Sequence, residues 1–166
     1  MIKFIPATNN SDYRLISKLA KAIWTEHYTP IIGVAQVNYM LEKFQSENAL
    51  KDQVLINNYK YFTIDNQSDP IGYLSIKKEE TSLFLSKIYI KATSRGQGIG
   101  KKSMNFIETQ ARDLNCEKIY LTVNKYNTES IKAYQKIGFK NIEELVIDIG
   151  HGYIMDDYKM EKLLIN

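Results

Sequence analysis

The stretch that decides the fold is Leu83-Phe84-Leu85-Ser86-Lys87-Ile88-Tyr89-Ile90-Lys91-Ala92-Thr93-Ser94-Arg95-Gly96-Gln97-Gly98-Ile99-Gly100. Leu83 to Ile90 is almost continuously apolar, the pattern of a strand covered on both faces and central in its sheet. Beyond Gly100, Phe106, Ile107, Ala111 and Leu114 recur at helical spacing. A strand, a glycine-rich turn and a helix therefore follow one another. Glycines let a backbone approach a ligand closely, and the first turn of a helix carries unpaired amide donors and a partial positive charge. Together these make an anion site suited to a phosphate or pyrophosphate, with Arg95, Lys101 and Lys102 as nearby cations. A tight strand-to-helix connection that holds no ligand would use the same glycines.

Two phosphate loops are ruled out by counting. A G-x-x-x-x-G-K-[ST] loop ending at Gly100-Lys101 would start at position 95, which is Arg, and would need Ser or Thr at 102, which is Lys. A G-x-G-x-x-G dinucleotide turn starting at Gly96 needs glycine where Lys101 stands, and one starting at Gly98 needs it at Ser103. What remains is R-x-x-G-x-G, Arg95-x-x-Gly98-x-Gly100. Downstream stands Asn124-x-x-Asn127-x-x-Ser130-x-x-Ala133-Tyr134-x-x-x-Gly138-Phe139. The first motif resembles the acetyl-coenzyme A pyrophosphate loop of the GNAT superfamily of N-acetyltransferases. The second is similar to that family's other signature, an Asn after a strand and then a short helix ending Tyr-x-x-x-Gly-Phe. They occur in the family's order with a helix and a strand between them, and the resemblance is clearest from Tyr59 to Phe139.

The resemblance implies an acyl-CoA N-acyltransferase fold, α/β in class, with a mixed, mostly antiparallel central sheet flanked by helices. It also implies a set of roles. The strand through Ile88, Tyr89 and Ile90 would splay from its neighbour and offer free amides to pantetheine, the one near Ile88 polarising the thioester carbonyl. Arg95, Gly96, Gln97, Gly98, Ile99, Gly100 and Lys101 would hold the pyrophosphate of acetyl-CoA. Asn127 and Ser130 would reach the pantetheine arm, and Tyr134 would protonate the departing thiolate. A phenol of pKa about 10 is a weak donor toward a thiol of about 8.5, so positioning must supply the catalysis. The alternative is that Tyr134 merely packs with Ile131 and Ile137; among 12 tyrosines the pattern, not the residue type, carries its assignment.

The remainder of the chain reads around this centre. Ile2, Phe4 and Ile5 suggest a short opening strand. Ser11 or Asp12 would cap a helix striped by Leu15, Ile16, Leu19, Ala20, Ile23 and Trp24, punctuated by Thr29-Pro30 and Gly33. A second helix carries Val37, Met40, Leu41 and Phe44, with a third helical piece near Leu50 to Ile56. Tyr59 to Asp65 and Ile71 to Lys77 read as strands joined by a turn over Asn66 to Pro70. Lys118 to Asn124 is β-patterned, Thr128 to Ile137 is a helix ending at Gly138, and Ile142 to Ile149 and Tyr153 to Leu163 are the last strands.

Composition narrows the rest. A chain of 166 residues, 44% hydrophobic and 25% charged, suits one globular domain over residues 1–166 rather than a disordered chain or a fibre. Cys116 alone forms no internal disulfide, and one thiol with two histidines argues against a structural zinc site, so no metal is expected. Met1 to Pro6 lacks a signal-peptide core and no apolar run approaches the roughly 20 residues that span a bilayer, so a cytoplasmic domain without membrane contact is expected. The net charge of +3 is spread, and Arg14, Arg95 and Arg112 are its arginines, which argues against nucleic acid as a partner. Both substrates must then bind within this one domain or at a self-association interface such as a homodimer's.

The acceptor is the open side of the reading. An alkyl amine of pKa about 10.4 costs about 4.6 kcal/mol to deprotonate at pH 7, so a base, a water chain or a desolvated pocket is needed. Trp24, His27 and Tyr28, from the region that shapes the acceptor pocket in this family, are candidates with His151. Glu26, Asp148, Asp156 and Asp157 are carboxylates able to meet a cationic amine, although Asp156-Asp157 reads equally as the flank of a strand start. The tail Gly152 to Met160 looks similar to the last strands of bacterial GNAT enzymes, among them the spermine/spermidine acetyltransferase branch. The reading is thus acetyl transfer to a primary amine such as a polyamine. Its alternatives are acetylation of a protein N-terminus or lysine, and a non-catalytic acetyl-CoA sensor.

Overall fold

A computed structural model describes residues 1–164. The strands follow the order β1-β2-β3-β4-β5-β7-β6 in one sheet of seven, with β4–β5 parallel and β1–β2, β2–β3, β5–β7 and β6–β7 antiparallel. The chain packs as two compact units, Met1–Lys77 with Ser86–Ile107, and Lys78–Leu85 with Glu108 onward.

The first unit holds β1 (Ile2–Pro6), α1 (Asn10–Ile32), α2 (Val34–Gln45), α3 (Glu47–Leu55), β2 (Lys60–Asn66), β3 (Asp69–Glu79) up to Lys77, the end of β4 (Ser82–Ile90) and the start of α4 (Ile99–Asp113). Alternation along β2 sends successive rings to opposite faces. Tyr61 joins a cluster with Tyr13, Ile16, Leu19, Ala20, Ile23 and Trp24 of α1, Val37, Leu50 and Tyr73. Phe62 meets Phe106 of α4 edge-on at 5.1 Å, and Phe106 stacks on Phe4 at 4.3 Å. Each fully buried apolar side chain of this kind contributes about 1.5–3 kcal/mol. Three of the polar side chains trapped among them are linked: Tyr73 Oη donates to Gln45 Oε1 at 2.8 Å, and Gln45 Nε2 donates to Tyr61 Oη at 3.2 Å and to the Phe44 carbonyl at 2.6 Å. Burial pushes both phenols well above their ordinary range.

The second unit holds the start of β4, the end of α4, β5 (Lys118–Asn124), α5 (Thr128–Lys136), β6 (Lys140–Gly150) and β7 (Tyr153–Leu163). Ser82 to Phe84 register in parallel with Lys118 to Tyr120, and β7 runs antiparallel to β5 from Lys118↔Leu163 to Asn124↔Asp157. Ile119, Leu121, Val123 and Met160 form its buried row. Lys162 reaches Glu108 at 2.5 Å, and Lys125 reaches Asp156 at 2.7 Å and Glu144 at 3.2 Å.

Several local expectations are corrected. The cap of α1 is Asn9, which accepts from Asp12 N, while the Asp12 carboxylate accepts from the backbone of Thr8 and Asn9. Asp12 thus closes a capping box from inside the helix, and Ser11 takes no part in it. Pro30 does not end α1, which continues to Ile32 and stops at Gly33, where φ is +85°. The third helical piece is a full helix. The β2–β3 turn is the pair Gln67-Ser68, both at positive φ, and Pro70 lies inside β3 beside the register shift at Ile64/Asp65. Bulges are where a strand tolerates proline. Asp156 and Asp157 do not flank a strand start; they sit inside β7.

Candidate active site

The turn before α4 begins with a 3₁₀ turn, Ala92–Ser94, and then two left-handed residues, Gly96 at φ +75° and Gly98 at +73°. A side chain at such angles costs about 1–2 kcal/mol. Left-handed residues in a turn are how consecutive backbone N–H groups come to share one concave, anion-binding side. The first intrahelical bond is Lys102 N to Gly98 O at 3.1 Å, so the earlier amides of α4 lack helical partners. No acidic residue occupies that first turn. Ile99, 3% exposed, anchors the helix start, and the buried Ser103 donates to the Ile99 carbonyl at 2.9 Å. A Cβ built on Gly96, Gly98 or Gly100 meets nothing within 4 Å, so the loop faces open space that a phosphate group fits. Arg95 folds back, its Nε donating to the Ile90 carbonyl at 3.1 Å, which ties the loop to the end of β4. Gln97, Gly98, Gly100 and Lys101 are exposed.

Along β4, Ile88, Tyr89 and Ile90 are half-buried. Lys87, one residue before Ile88, donates to Ser86 Oγ at 2.6 Å, and desolvation pulls its ammonium down to about 8. Tyr89 gathers two of the expected aromatic groups, Trp24 and Tyr28, and the core ring of Tyr73. Its ring lies 5.4 Å from Trp24, 6.1 Å from Tyr28 and 5.6 Å from Tyr73, and its hydroxyl is 3.0 Å from that of Tyr28. His27 stands edge-on to Tyr28 at 4.8 Å. Trp24 and Tyr28 of α1 thus lie beside one β4 side chain, with His27 reaching the group through Tyr28, although 61 residues separate Tyr28 from Tyr89.

In the second unit, Asn127 precedes α5 and is 5% exposed, yet its side chain makes no capping bond; its carbonyl accepts from Ile131 N at 3.1 Å. Ser130 and Tyr134 are half-buried, and α5 has no buried residue. The spacing Tyr134-x-x-x-Gly138-Phe139 has a local cause. Gly138, at φ +102°, turns the chain back, and the Tyr134 carbonyl accepts from both Ile137 N and Phe139 N. The buried Phe139 then braces the Tyr134 ring edge-on at 5.6 Å. His151 is exposed at the tip of the β6–β7 hairpin, at φ +53° between Gly150 and Gly152, apart in sequence and element from the α1 candidates.

Asp157 was undervalued by sequence reading. It lies opposite Asn124 in mid-strand, 5% exposed, and burial raises its carboxyl from 3.8 to about 6 against a hydrogen bond from Thr122. The raised value means that the unfolded chain ionises first as pH climbs from 3.8, so stability falls between there and about 6. The loss amounts to roughly 3 kcal/mol. Asp157→Asn should therefore raise the melting temperature at pH 7 and flatten the decline across pH 4–6 in thermal melts. An unchanged pH profile would contradict the assignment of that slope to Asp157.

With this geometry in view, residues 19–139 match the family model described as Acetyltransferase (GNAT) family. The chain belongs to that family. The spermine/spermidine N(1)-acetyltransferase of Bacillus subtilis is 33% identical over a match covering 75% of this chain and 89% of that protein. The thialysine N-epsilon-acetyltransferase of Sus scrofa is 32% identical over 63 residues, so the match spans only 37% of that relative. Among solved structures, the PaiA N-acetyltransferase of Thermoplasma acidophilum in complex with coenzyme A superposes with a TM-score of 0.81 at 19% identity, over 99% of each chain. The GNAT fold expected from the two motifs is the fold observed. No helix among the described residues is long and apolar enough to cross a membrane, and none of their acidic, His and Cys side chains group as a metal site.

Proposed function

We propose that this chain is an acetyl-CoA-dependent N-acetyltransferase whose acceptor is a small primary amine of the polyamine class. The observation that carries the reaction is the left-handed pair Gly96 and Gly98 opening into α4, a cradle with nothing in the space a Cβ would fill. The acceptor class is supported by the Bacillus subtilis relative, 33% identical over 75% of this chain.

Bound acetyl-CoA supplies the acetyl group as a thioester. The main-chain amides from Gly96 to Lys101 hold its pyrophosphate, aided by Arg95 and by the positive end of α4. The backbone N–H groups of Ile88 and its neighbours Tyr89 and Ile90 meet the pantetheine arm and polarise the thioester carbonyl, as preorganised donors do. Asn127, its amide not spent on capping, hydrogen-bonds the pantetheine arm, with Ser130 beside it in sequence. Tyr134, its ring fixed by Phe139, gives its hydroxyl proton to the sulfur as the C–S bond breaks. The aromatic group of Trp24, Tyr28 and Tyr89, with His27 at its edge, receives the acceptor, since alkyl ammonium groups favour ring faces.

The test is thiol release from acetyl-CoA with a panel of spermidine, spermine, a monoamine and a lysine peptide. Release is expected fastest with a polyamine. Faster release with the peptide would move the acceptor to protein lysine. Tight acetyl-CoA binding without release for any amine would overturn catalysis in favour of a sensor.

A further inference from the structure

Gly72 lies in β3 at an ordinary negative φ, so nothing about its backbone conformation calls for glycine. The requirement is space. A Cβ built there falls 2.2 Å from the Tyr89 carbonyl oxygen, 3.2 Å from its carbonyl carbon and 3.1 Å from Ile90 Cα. All three atoms are backbone, so no rotamer change relieves the overlap. Gly72 is also held from its other side. It registers with Ile64 of β2 at the edge of the β2–β3 register shift, and next to it the Ile71 carbonyl accepts from Lys91 N at 2.8 Å. The buried Tyr73 ring rests 5.6 Å from that of Tyr89. β3 therefore sets how deep the last residues of β4 lie, and the missing side chain of Gly72 permits that depth.

We propose that Gly72 is a positioning residue for acetyl transfer: by admitting the Tyr89 carbonyl against β3, it aims the Ile88–Ile90 amides at the thioester. The inference rests on the acetyltransferase reading above. An ordinary contact at Gly72 begins at 3.4 Å, so alanine there must displace β4 by roughly 1 Å. Misplacement on that scale costs about 100-fold in rate when the displaced groups act on the reacting atoms. The atoms nearest the added methyl belong to Tyr89 and Ile90 and none to the pyrophosphate loop, whose tie to the end of β4 is the Arg95–Ile90 bond. A role confined to stability would instead lower the folded fraction and leave the turnover of folded molecules intact.

The experiment compares wild type with Gly72→Ala. Folded fraction is read from the emission of Trp24, the sole tryptophan, and from thermal melts; coenzyme A affinity from calorimetry; and kcat from thiol release at saturating acetyl-CoA and spermidine. Folded Gly72→Ala should lose about 100-fold in kcat while its coenzyme A affinity stays within about threefold. A kcat within about threefold of wild type would overturn the proposal. Should Gly72→Ala not fold, Lys91→Pro addresses the same placement: φ at Lys91 is −50°, within reach of proline, and the change deletes only the bond to Ile71 O and a weak surface pair with Asp69. It should lower kcat about tenfold with coenzyme A affinity kept, and an unchanged kcat would overturn the proposal. Wild type that binds coenzyme A but acetylates nothing would overturn the acetyltransferase reading itself, an outcome visible before either variant is made.

Discussion

Replacing Tyr134 with phenylalanine is expected to lower turnover about 10²- to 10⁴-fold, the range for losing a positioned acid, while acetyl-CoA affinity changes no more than about threefold. The split follows from what the substitution removes. The Tyr134 ring is placed by Phe139, and the backbone around it is placed by the Tyr134 carbonyl accepting from Ile137 N and Phe139 N; phenylalanine keeps all of these. Only the hydroxyl goes. A phenol in water is a poorer acid than the thiol it would serve, about 10 against 8.5, so its value lies in delivering a proton to sulfur at the moment the bond breaks. An interaction made only in the transition state lowers kcat and kcat/KM together when it is deleted. Steady-state kinetics by thiol release, with coenzyme A affinity measured separately, read both halves. Equal turnover in Tyr134→Phe would remove the general acid from the assignment, and a matching loss of affinity would make Tyr134 a binding residue instead.

How far such assignments were legible in the sequence depended on how local their causes are. The turn at Gly96 to Gly100 and the end of α5 at Gly138 are built within a few residues, by glycines whose positive φ leaves a mark in the sequence. They were readable, and with them the fold. The cap of α1 was missed by two residues because Asn9, Ser11 and Asp12 are all capping types, and only the reciprocal bonds of Asn9 and Asp12 decide among them. Pro30 looked like a stop, yet the packed α1 stripe and a helix end only two residues later let the helix continue to Ile32. Asp157 read equally as the flank of a strand start, and only the pairing of β7 with both β5 and β6, which sets it between Asn124 and Leu145, shows it to be mid-strand and buried. The meeting of Tyr28 with Tyr89, or of Gln45 with Tyr73, joins residues 61 and 28 positions apart and has no local signature. Gly72 did carry one: a lone glycine inside a strand pattern signals a bulge or a close backbone approach, and both are there.

Gly98→Val should weaken acetyl-CoA binding about 10- to 100-fold, the equivalent of one or two charge-assisted hydrogen bonds to phosphate. Two effects act in the same direction. At φ +73° a β-branched residue is strained, so the turn relaxes and its amides lose their common direction. The side chain also projects into the open space beside the loop, where the phosphates would lie. Strain alone would produce a weaker loop even if no ligand ever bound there, and Gly100→Ala separates the two. Gly100 shares the open space but not the positive φ, and it sits in the first turn of α4, where alanine is the better helix former by about 1 kcal/mol. In a mere strand-to-helix connection, Gly100→Ala would stabilise the protein and leave coenzyme A affinity as it was. In a pyrophosphate cradle the same variant melts at a higher temperature yet binds coenzyme A less tightly, because its methyl group occupies the ligand's side. Stability and affinity moving in opposite directions is the result expected, and calorimetric titration alongside a thermal melt of the two variants reads it directly.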